Sequence, residues 1–322
     1  MREKTDAERI NALLKEKMLK RLPRQARIAT PVEGLTLTRH DEISQAESCF
    51  YQPMVALIVQ GFKRAMIGNE EYRYGERHCM VVGVDLPGVY HITEASAQAP
   101  FLSLSMKLNR YTITQLLAEM PPVTGERKKS SGAVVVCETP PEVLDAFSRL
   151  LDILDAPSKV PVLAPMILRE IHFHLLAGSY GDCLRMVGTS GTQVNQIAQA
   201  VNWLRENYAE PLRVDDLAQR ISMSPSTFHR HFRQVTTLSP LQFQKRLRLY
   251  EAERLMLLEG KDAGTAALAV GYESGSQFNR EYKRQFGEPP HRNVNRKLSS
   301  GVFHAGRVDG KAAGRTATIC TP

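Results

Sequence analysis

Two nine-residue segments, fifty positions apart, match each other and constrain this chain more than any other feature of its sequence. The first runs from Ser226 to Gln234 and the second from Ser276 to Arg284. Each follows a short helix-forming stretch and a tight turn, which is the pattern of a helix-turn-helix unit. Because an internal duplication is more specific than a single copy, the sequence predicts two such units.

The two faces of each predicted helix differ in chemistry. In the first helix, Phe228, Phe232 and Val235 share one apolar stripe at helical spacing, and the second helix repeats that stripe. The opposite stripes are polar, and their side chains are of the kinds that hydrogen-bond to base edges in the major groove. The candidate base-reading residues are Ser226, His229, Arg230, Ser276, Gln277, Asn279 and Arg280.

A long helix is predicted between the two units, over residues 240–259. Its length of about 30 Å is close to the ~34 Å of one turn of B-DNA, so both recognition helices could enter successive major grooves. Five further cations are predicted to contact phosphate or to support the fold: Arg233, Lys245, Arg246, Arg248 and Lys283.

The charge of the chain is concentrated in the same region. Residues 191–322 hold 19 of the 42 Lys and Arg residues but only 12 of the 34 acidic ones, and residues 217–250 contain no acid at all. A local field of one sign attracts a polyanion. Double-stranded DNA is therefore the predicted partner.

Residues 54–108 differ from the helical C-terminal region in their pattern, which is that of short apolar strands separated by turns. This pattern favours a sandwich or small barrel. The predicted fold class is α+β in two domains: an N-terminal β-sandwich or barrel with helices, and a C-terminal all-α double helix-turn-helix. The predicted divisions are a helical extension (1–30), the β-rich domain (31–180), a glycine-rich linker (181–193), the DNA-binding domain (194–296) and a disordered tail (297–322).

Two motifs in the helical third carry a family resemblance: Ile221-Ser222-Met223-Ser224-Pro225-Ser226-x-Phe228-x-Arg230, and Val270-Gly271-Tyr272-x-Ser274-x-Ser276-x-Phe278-x-Arg280. They resemble the AraC/XylS family of bacterial transcription regulators. Tyr51-x-Pro53-x-Val55 and Asp85-Leu86-Pro87 resemble the N-terminal sensor domain of one subgroup. The resemblance implies two helix-turn-helix units joined by a long helix, and a cupin-like β-sandwich or barrel with helices as a sensor domain that binds a small effector, dimerises, or both. It leaves open a homodimer and a contact with RNA polymerase.

The predicted effector is small and mostly apolar, and four polar side chains in the sandwich are candidates to orient it: Tyr72, Tyr74, His78 and His91. The alternative function is a cupin-type metalloenzyme fused to a DNA-binding domain. That chemistry needs a His-x-His pair and further ligands in one cavity, and the strands offer only His78 and His91. No metal, no cofactor and no enzymatic activity are therefore predicted.

A second alternative is a DNA-repair protein that takes up alkyl groups, which needs a clustered cysteine zinc site. The five cysteines are scattered and show no CxxC spacing. The first 25 residues lack the apolar core of a signal peptide, and no apolar run approaches the ~18 residues that span a bilayer. A cytoplasmic protein without a membrane segment is expected.

Overall fold

A computed structural model of the chain describes residues 5–24, 26–121, 132–188 and 193–299. Within these residues the N-terminal domain contains ten strands and five helices. The strands are β1 (Ala26–Ala29), β2 (Leu35–His40), β3 (Glu47–Tyr51), β4 (Met54–Gln60), β5 (Phe62–Ile67), β6 (Glu70–Gly75), β7 (His78–Val82), β8 (Leu86–Glu94), β9 (Phe101–Lys107) and β10 (Val134–Glu138). The helices are α1 (Asp6–Arg21), α2 (Arg110–Glu119), α3 (Pro141–Ile153), α4 (Val160–Ala177) and α5 (Gly181–Gly188).

The strands form a two-sheet sandwich, as the sequence predicts. One sheet has the order β1-β2-β9-β4-β7-β10 and the other has the order β3-β8-β5-β6, and every pairing is antiparallel. In β4, Ala56 and Ile58 belong to the core between the sheets, whereas Val55, Leu57 and Val59 belong to a second core. Both faces of the six-stranded sheet are therefore covered, which accounts for the continuously apolar sequence of β4.

The second core lies between the six-stranded sheet and the helices. Helix α1 begins at a capping box in which Thr5 and Glu8 bond each other's backbone. Its buried Leu14 and Met18 pack in this core with Phe147 of α3 and Leu175 of α4. The predicted helical extension is thus an integral layer of the domain.

The C-terminal domain is helical throughout its described residues, with α6 (Gln193–Glu206), α7 (Val214–Arg220), α8 (Pro225–Thr236), α9 (Pro240–Leu258), α10 (Ala263–Ala269), α11 (Gly275–Phe286) and α12 (Pro290–Ser299). Helices α7 and α8 form the first helix-turn-helix unit, and α10 and α11 form the second. The core of the first unit is continuous with the sandwich interior, whereas the second unit has a core of its own.

The structure corrects two of the predicted boundaries. Residues 181–188 are not a linker but form α5, because Cys183 and Leu184 bury in the second core despite the flanking glycines. Lys297 is not in a tail: it lies in α12, where its Nζ is 2.7 Å from Glu253 Oε1 of α9, and both residues are buried. Pro290 is the first residue of α12, a position that proline favours. Residues 189–192 of the predicted linker and residues 300–322 of the predicted tail lie outside the residues that the structure describes.

One segment, Pro157–Ala177, has the length and apolar composition of a membrane-spanning helix by those two criteria alone. It comprises a 3₁₀ turn followed by α4. Ile171, Leu175 and Leu176 on one side of α4 are buried in the second core. Packing in the domain therefore explains why the buried side of α4 is apolar. The other side of the helix is apolar and exposed.

Candidate nucleic-acid interface

Each of the two candidate recognition helices begins at a serine cap. The side chain of Ser224 accepts a hydrogen bond from the Thr227 backbone at the start of α8, and that of Ser274 accepts one from the Gln277 backbone at the start of α11. Such caps satisfy backbone N–H groups that the helix itself leaves unpaired. Both helices are twelve residues long, so the sequence repeat is a structural repeat.

The turns before the two helices also correspond. Ser222 has a φ of 56° and Gly271 a φ of 86°, so each turn passes through the left-handed region. At Gly271 a Cβ atom would lie 2.2 Å from the carbonyl oxygen of Ala209. Only glycine fits that position without a shift of the backbone. The second turn is one residue longer than the first between this position and the serine cap.

The two faces of these helices lie as predicted. Phe228 and Phe232 of α8 and Phe278 and Tyr282 of α11 are buried in the cores of their units. The polar stripes are exposed, and they contain Ser226, His229, Arg230, Arg233, Ser276, Gln277, Asn279, Arg280 and Lys283. Every predicted base-reading side chain is therefore available to a ligand on the outside of the domain.

Helix α9 sets the distance between the two units. It has 19 residues and begins at a capping box formed by Ser239 and Gln242. At 1.5 Å per residue it is about 28 Å long. It packs against α8, α10, α11 and α12, so it holds both units on one rigid element.

All three predicted cations on α9 have partners within the protein. Lys245 pairs with Glu281 of α11 at 2.8 Å, and Arg246 donates to the carbonyl of Gly68 in the sandwich at 3.3 Å. Burial alone would raise the pKa of Glu281, but hydrogen bonds from Lys245 and Tyr272 outweigh it and lower that pKa. Lys245 thus joins the spacer helix to the second recognition helix.

Arg248, the third of these cations, supports the fold. Its guanidinium donates to the carbonyls of Tyr208, Ala209 and Glu210 after α6, and to that of Gly271 in the second turn, at 2.7 to 3.1 Å. A planar group with several fixed donors suits such a junction. Burial lowers the pKa of this guanidinium, which stays charged far above neutrality.

The sandwich contacts the DNA-binding domain on the side of α9. Phe50 of β3 packs edge-on against Phe243 and Tyr250, with ring centroids 6.0 and 6.3 Å away. The Tyr250 hydroxyl donates to the carbonyl of Gly88 at 2.7 Å. Asn69, in the turn between β5 and β6, bonds Thr237 just after α8. These contacts leave the polar stripes of α8 and α11 uncovered.

A buried ion pair also crosses between the domains. Arg205 of α6 lies 2.7 Å from Asp85, which is almost fully buried. Burial raises the pKa of Asp85, and Arg205 opposes that rise. A small cavity of about 100 Å³ lies beside this pair, lined by Asp85, Arg110 and Asn202 among others.

The four predicted effector-orienting residues do not converge. Tyr74 is buried between the sheets, and Tyr72, on the same face, donates its hydroxyl to Glu70 at 2.6 Å. His78 is half-buried at the start of β7, and His91 pairs with Arg64 on the opposite face of its sheet from Tyr90. The polar side chain that the sequence reading missed is Lys63, which lies on the inner face of β5 and is buried.

The alternative functions would need a metal site or a reactive thiol. Among the described residues no three His, Cys, Asp or Glu side chains form a group that could hold a metal ion. Cys49, Cys79 and Cys183 are buried and form no disulfide with another described cysteine. Burial raises the pKa of the Cys183 thiol to about 12, so it is not a reactive thiolate at neutral pH.

Family models match both domains. A model described as "AraC-type transcriptional regulator N-terminus" matches residues 31–183, and a model described as "Helix-turn-helix domain" matches residues 217–296. The chain belongs to the AraC/XylS family of transcription regulators. Between them the two models leave unmatched chiefly α1, the stretch around α6 and the end of this AraC/XylS chain.

Curated relatives match the C-terminal part. The HTH-type transcriptional activator RhaS of Pectobacterium carotovorum subsp. carotovorum is 28% identical over 136 residues, 42% of this chain and 47% of its own. RhaS of Yersinia pestis bv. Antiqua is 26% identical over 150 residues, 46% of this chain and 54% of its own. The chain thus spans about half the length of the curated relatives it matches.

Solved structures share the two-domain fold. An apo ToxT variant from Vibrio cholerae matches with a TM-score of 0.56 at 8% identity, over 83% of this chain and 99% of its own. Wild-type ToxT bound to an unsaturated fatty acid matches with a TM-score of 0.53 at 9% identity, over 81% of this chain and 94% of its own. At such low identity these likenesses concern the fold alone.

Proposed function

We propose that this protein regulates transcription by binding a specific DNA sequence with α8 and α11 in successive major grooves. The observation that carries the proposal is the pair of equal helices whose exposed polar stripes are joined by a spacer of about 28 Å. That length is close to one turn of B-DNA, which a protein with two recognition helices must span to dock both on one face. Such a regulator acts in the cytoplasm and can contact RNA polymerase from the same DNA site.

Arg230 and Arg280 are the central readers in this proposal. They occupy the same position in the two helices, and both side chains are exposed. Arginine bonds guanine O6 and N7 with two parallel hydrogen bonds, the commonest base-specific contact. Ser226, His229, Ser276, Gln277 and Asn279 complete the stripes, and Arg233 and Lys283 at the far end of each stripe suit phosphate.

We propose further that the N-terminal domain binds a small effector and forms a homodimer. Binding of an effector is supported by one of the similar solved structures, that of ToxT bound to an unsaturated fatty acid. Formation of a homodimer is supported by α4, whose outer side exposes Val162, Met166 and Phe173. Such an uncovered apolar stripe marks an interaction surface.

A second copy of the chain fits this stripe. Met166 and Phe173 are symmetric about the point between Arg169 and Glu170, residues of opposite charge. In an antiparallel pair of α4 helices, Met166 of one copy would face Phe173 of the other, and Arg169 would face Glu170. A self-complementary stripe of this kind is what a two-fold interface requires.

Substitution of the two central arginines tests the proposed reading of DNA. Arg230→Ala and Arg280→Ala should each weaken binding to a selected DNA site by about 1–3 kcal/mol, which is roughly a 5- to 150-fold loss of affinity. The loss arises because each substitution removes a paired contact with one base. Electrophoretic mobility shift or fluorescence anisotropy titrations at fixed salt measure it.

Lys159→Ala is the matched control, because it removes one positive charge from an exposed position in the N-terminal domain. It should leave affinity within about twofold, since its charge is far from the reading stripes and is screened. If both arginine variants bind the site as tightly as the control does, α8 and α11 are not the recognition helices.

A further inference from the structure

Lys63 lies inside the sandwich. It pairs in register with Tyr74 on β6 and with Ile92 on β8, and it alternates along β5 with the buried Ala65. Only 4% of the residue is exposed. Its side chain therefore projects toward the other sheet, with the apolar side chains of the inner face.

Among the described residues no carboxylate forms an ion pair with this lysine, although the nearby Cys49 and Glu47 oppose the lowering of its pKa by burial. Within the part of the chain that the structure describes, its ammonium forms neither a salt bridge nor a hydrogen bond, and it lies 3.9 Å from the centroid of the Tyr90 ring. Glu47 is the nearby acid, but it accepts the hydrogen bond of the Tyr90 hydroxyl at 2.9 Å. The cation–π contact compensates only part of the cost of removing an ammonium from water.

Further polar side chains are buried in the same core. The hydroxyls of Tyr51 and Tyr74 are fully buried; that of Tyr74 has no hydrogen-bond partner among the described residues, and that of Tyr51 lies beside the Cys49 thiol. Across the interior, Ser103 and Ser105 of β9 pair in register with Ile58 and Ala56, which are residues of the inner core. Buried polar groups without partners are rare and call for an explanation.

The charge balance of this space favours one negative charge. The titratable groups that face or surround Lys63 are Arg27 on β1, His40 on β2, Glu47 and Cys49 on β3, Tyr74 on β6 and Tyr90 on β8. Burial lowers the pKa of His40, so this imidazole is mainly neutral at pH 7. Among the described residues of the interior, Lys63 is then a buried cation without an ion-pair partner, and a singly charged anion suits it better than a phosphate.

We propose that the interior of the sandwich binds a small monocarboxylate whose charge pairs with Lys63 and whose oxygens accept hydrogen bonds from the Tyr51 and Tyr74 hydroxyls. The tail of the acid lies against the apolar side chains of the inner core. The inference rests on the proposed effector control and gives that effector a chemical class. It differs from the mostly apolar ligand that the sequence suggests.

Strand β3 provides a short route from this site to the DNA-binding domain. Successive side chains of a strand point to opposite faces, so Tyr51 is directed inward and Phe50 outward. Phe50 packs against Phe243 and Tyr250 of α9. A ligand that moves Tyr51 therefore acts on the strand whose other face holds the spacer helix.

Acetate tests the proposal on the full chain, because it is the proposed binding group with almost no tail. Sodium acetate at about 100 mM should raise the Tm of the wild type by about 3 °C at pH 7 relative to sodium chloride of equal ionic strength. Acetamide, which has the same shape without the charge, should give no rise. Lys63→Met should abolish the acetate effect, whereas Lys159→Met, which removes an exposed lysine, should keep it.

The melting temperature of Lys63→Met without acetate is an independent test of the site. Lys63→Met should melt at a higher temperature than the wild type, since it replaces an unpaired buried cation by an apolar chain of similar length. Burial lowers the pKa of Lys63 to about 8, so the acetate effect on the wild type should also fade between pH 7 and pH 9. This pH series tests the site even if the variant does not fold.

An equal acetate response in wild type and Lys63→Met, no response in either, or an unchanged response at pH 9 would overturn the proposal. A measurement of DNA binding in the same samples distinguishes a wrong acid site from a wrong proposed function. If both proteins bind the selected DNA site but acetate does not distinguish them, only the acid site is wrong. If neither the wild type nor the variant binds any DNA site, the proposed function itself is wrong.

Discussion

Arg248 carries more of the geometry of the DNA-binding domain than its neighbours on α9. Four carbonyl oxygens from two separate segments converge on its guanidinium, and one of them belongs to Gly271 at the left-handed turn of the second unit. Arg246, two residues earlier, makes a single longer bond to Gly68. The same residue type on the same helix therefore serves two different purposes.

Arg248→Ala should lower the free energy of unfolding of the full chain by about 3 kcal/mol, because several partly buried carbonyls lose a charged donor. Arg246→Ala is the control and should cost less than about 1 kcal/mol. Urea unfolding followed by circular dichroism measures both. Arg248→Lys should recover only part of the loss, since a lysine donates from one point; equal stability of all three variants would contradict this role.

Residue patterns predict some of these features and not others. The exposed stripe of α8 follows from local periodicity, because apolar residues at i, i+4 and i+7 fix which face turns inward. Lys63 could not be placed that way: it stands between Phe62 and Arg64, and a lysine in a strand is normally read as facing solvent. Its burial depends on the register of β5 with β6 and β8, which are contacts between distant parts of the chain.

At the scale of elements, local signals predicted the helices better than the sheet. Strands β1, β2 and β3 are absent from the sequence reading, because they are short and mix polar with apolar residues, and their pairing partners are distant in sequence. Helix α12 is not predicted from the sequence, because Pro289 and Pro290 are residues that stop a preceding helix, although Pro290 begins a new one. Residues 181–188 form a helix because Leu184 is buried in the core. The glycine content of this segment predicted a linker instead.

Helix α4 is the element whose surface the monomer leaves incomplete. Val162 and Met166 are 66% and 65% exposed, although Ala164 and Ile167 of the same helix are core residues. Met166→Glu should convert a dimer of the full chain into a monomer, because it places a charge at the centre of the proposed interface. Analytical ultracentrifugation between about 1 and 50 μM, a range that brackets typical weak dimers, reports the change.

Leu13→Glu is the control for that experiment, since Leu13 is an apolar residue of α1 that is 51% exposed and lies on another helix. It should leave the association state unchanged. If the Met166→Glu protein sediments like the wild type, the proposed antiparallel pairing of α4 is incorrect. A wild type that is monomeric throughout the range would exclude the dimer at these concentrations.

At the scale of the molecule, the two domains touch on the side of the spacer helix and leave the reading stripes free. Phe50, Gly88 and Asn69 of the sandwich contact α9 or the end of α8, and Asp85 pairs with Arg205 of α6. The order of domains and the double unit were predictable from composition and from the repeat. The contacts between the domains were not, because they join residues more than a hundred positions apart.

Selection of DNA from a random pool by the full-length wild type, Arg230→Ala and Arg280→Ala tests the central claim most directly. The wild type should select two short preferred segments whose centres are about 10 base pairs apart, the spacing of successive major grooves on one face. Arg230→Ala should erase preference at one base pair of one segment, and Arg280→Ala at one base pair of the other. A single contiguous preferred segment, or loss of the same base pair in both variants, would contradict the account.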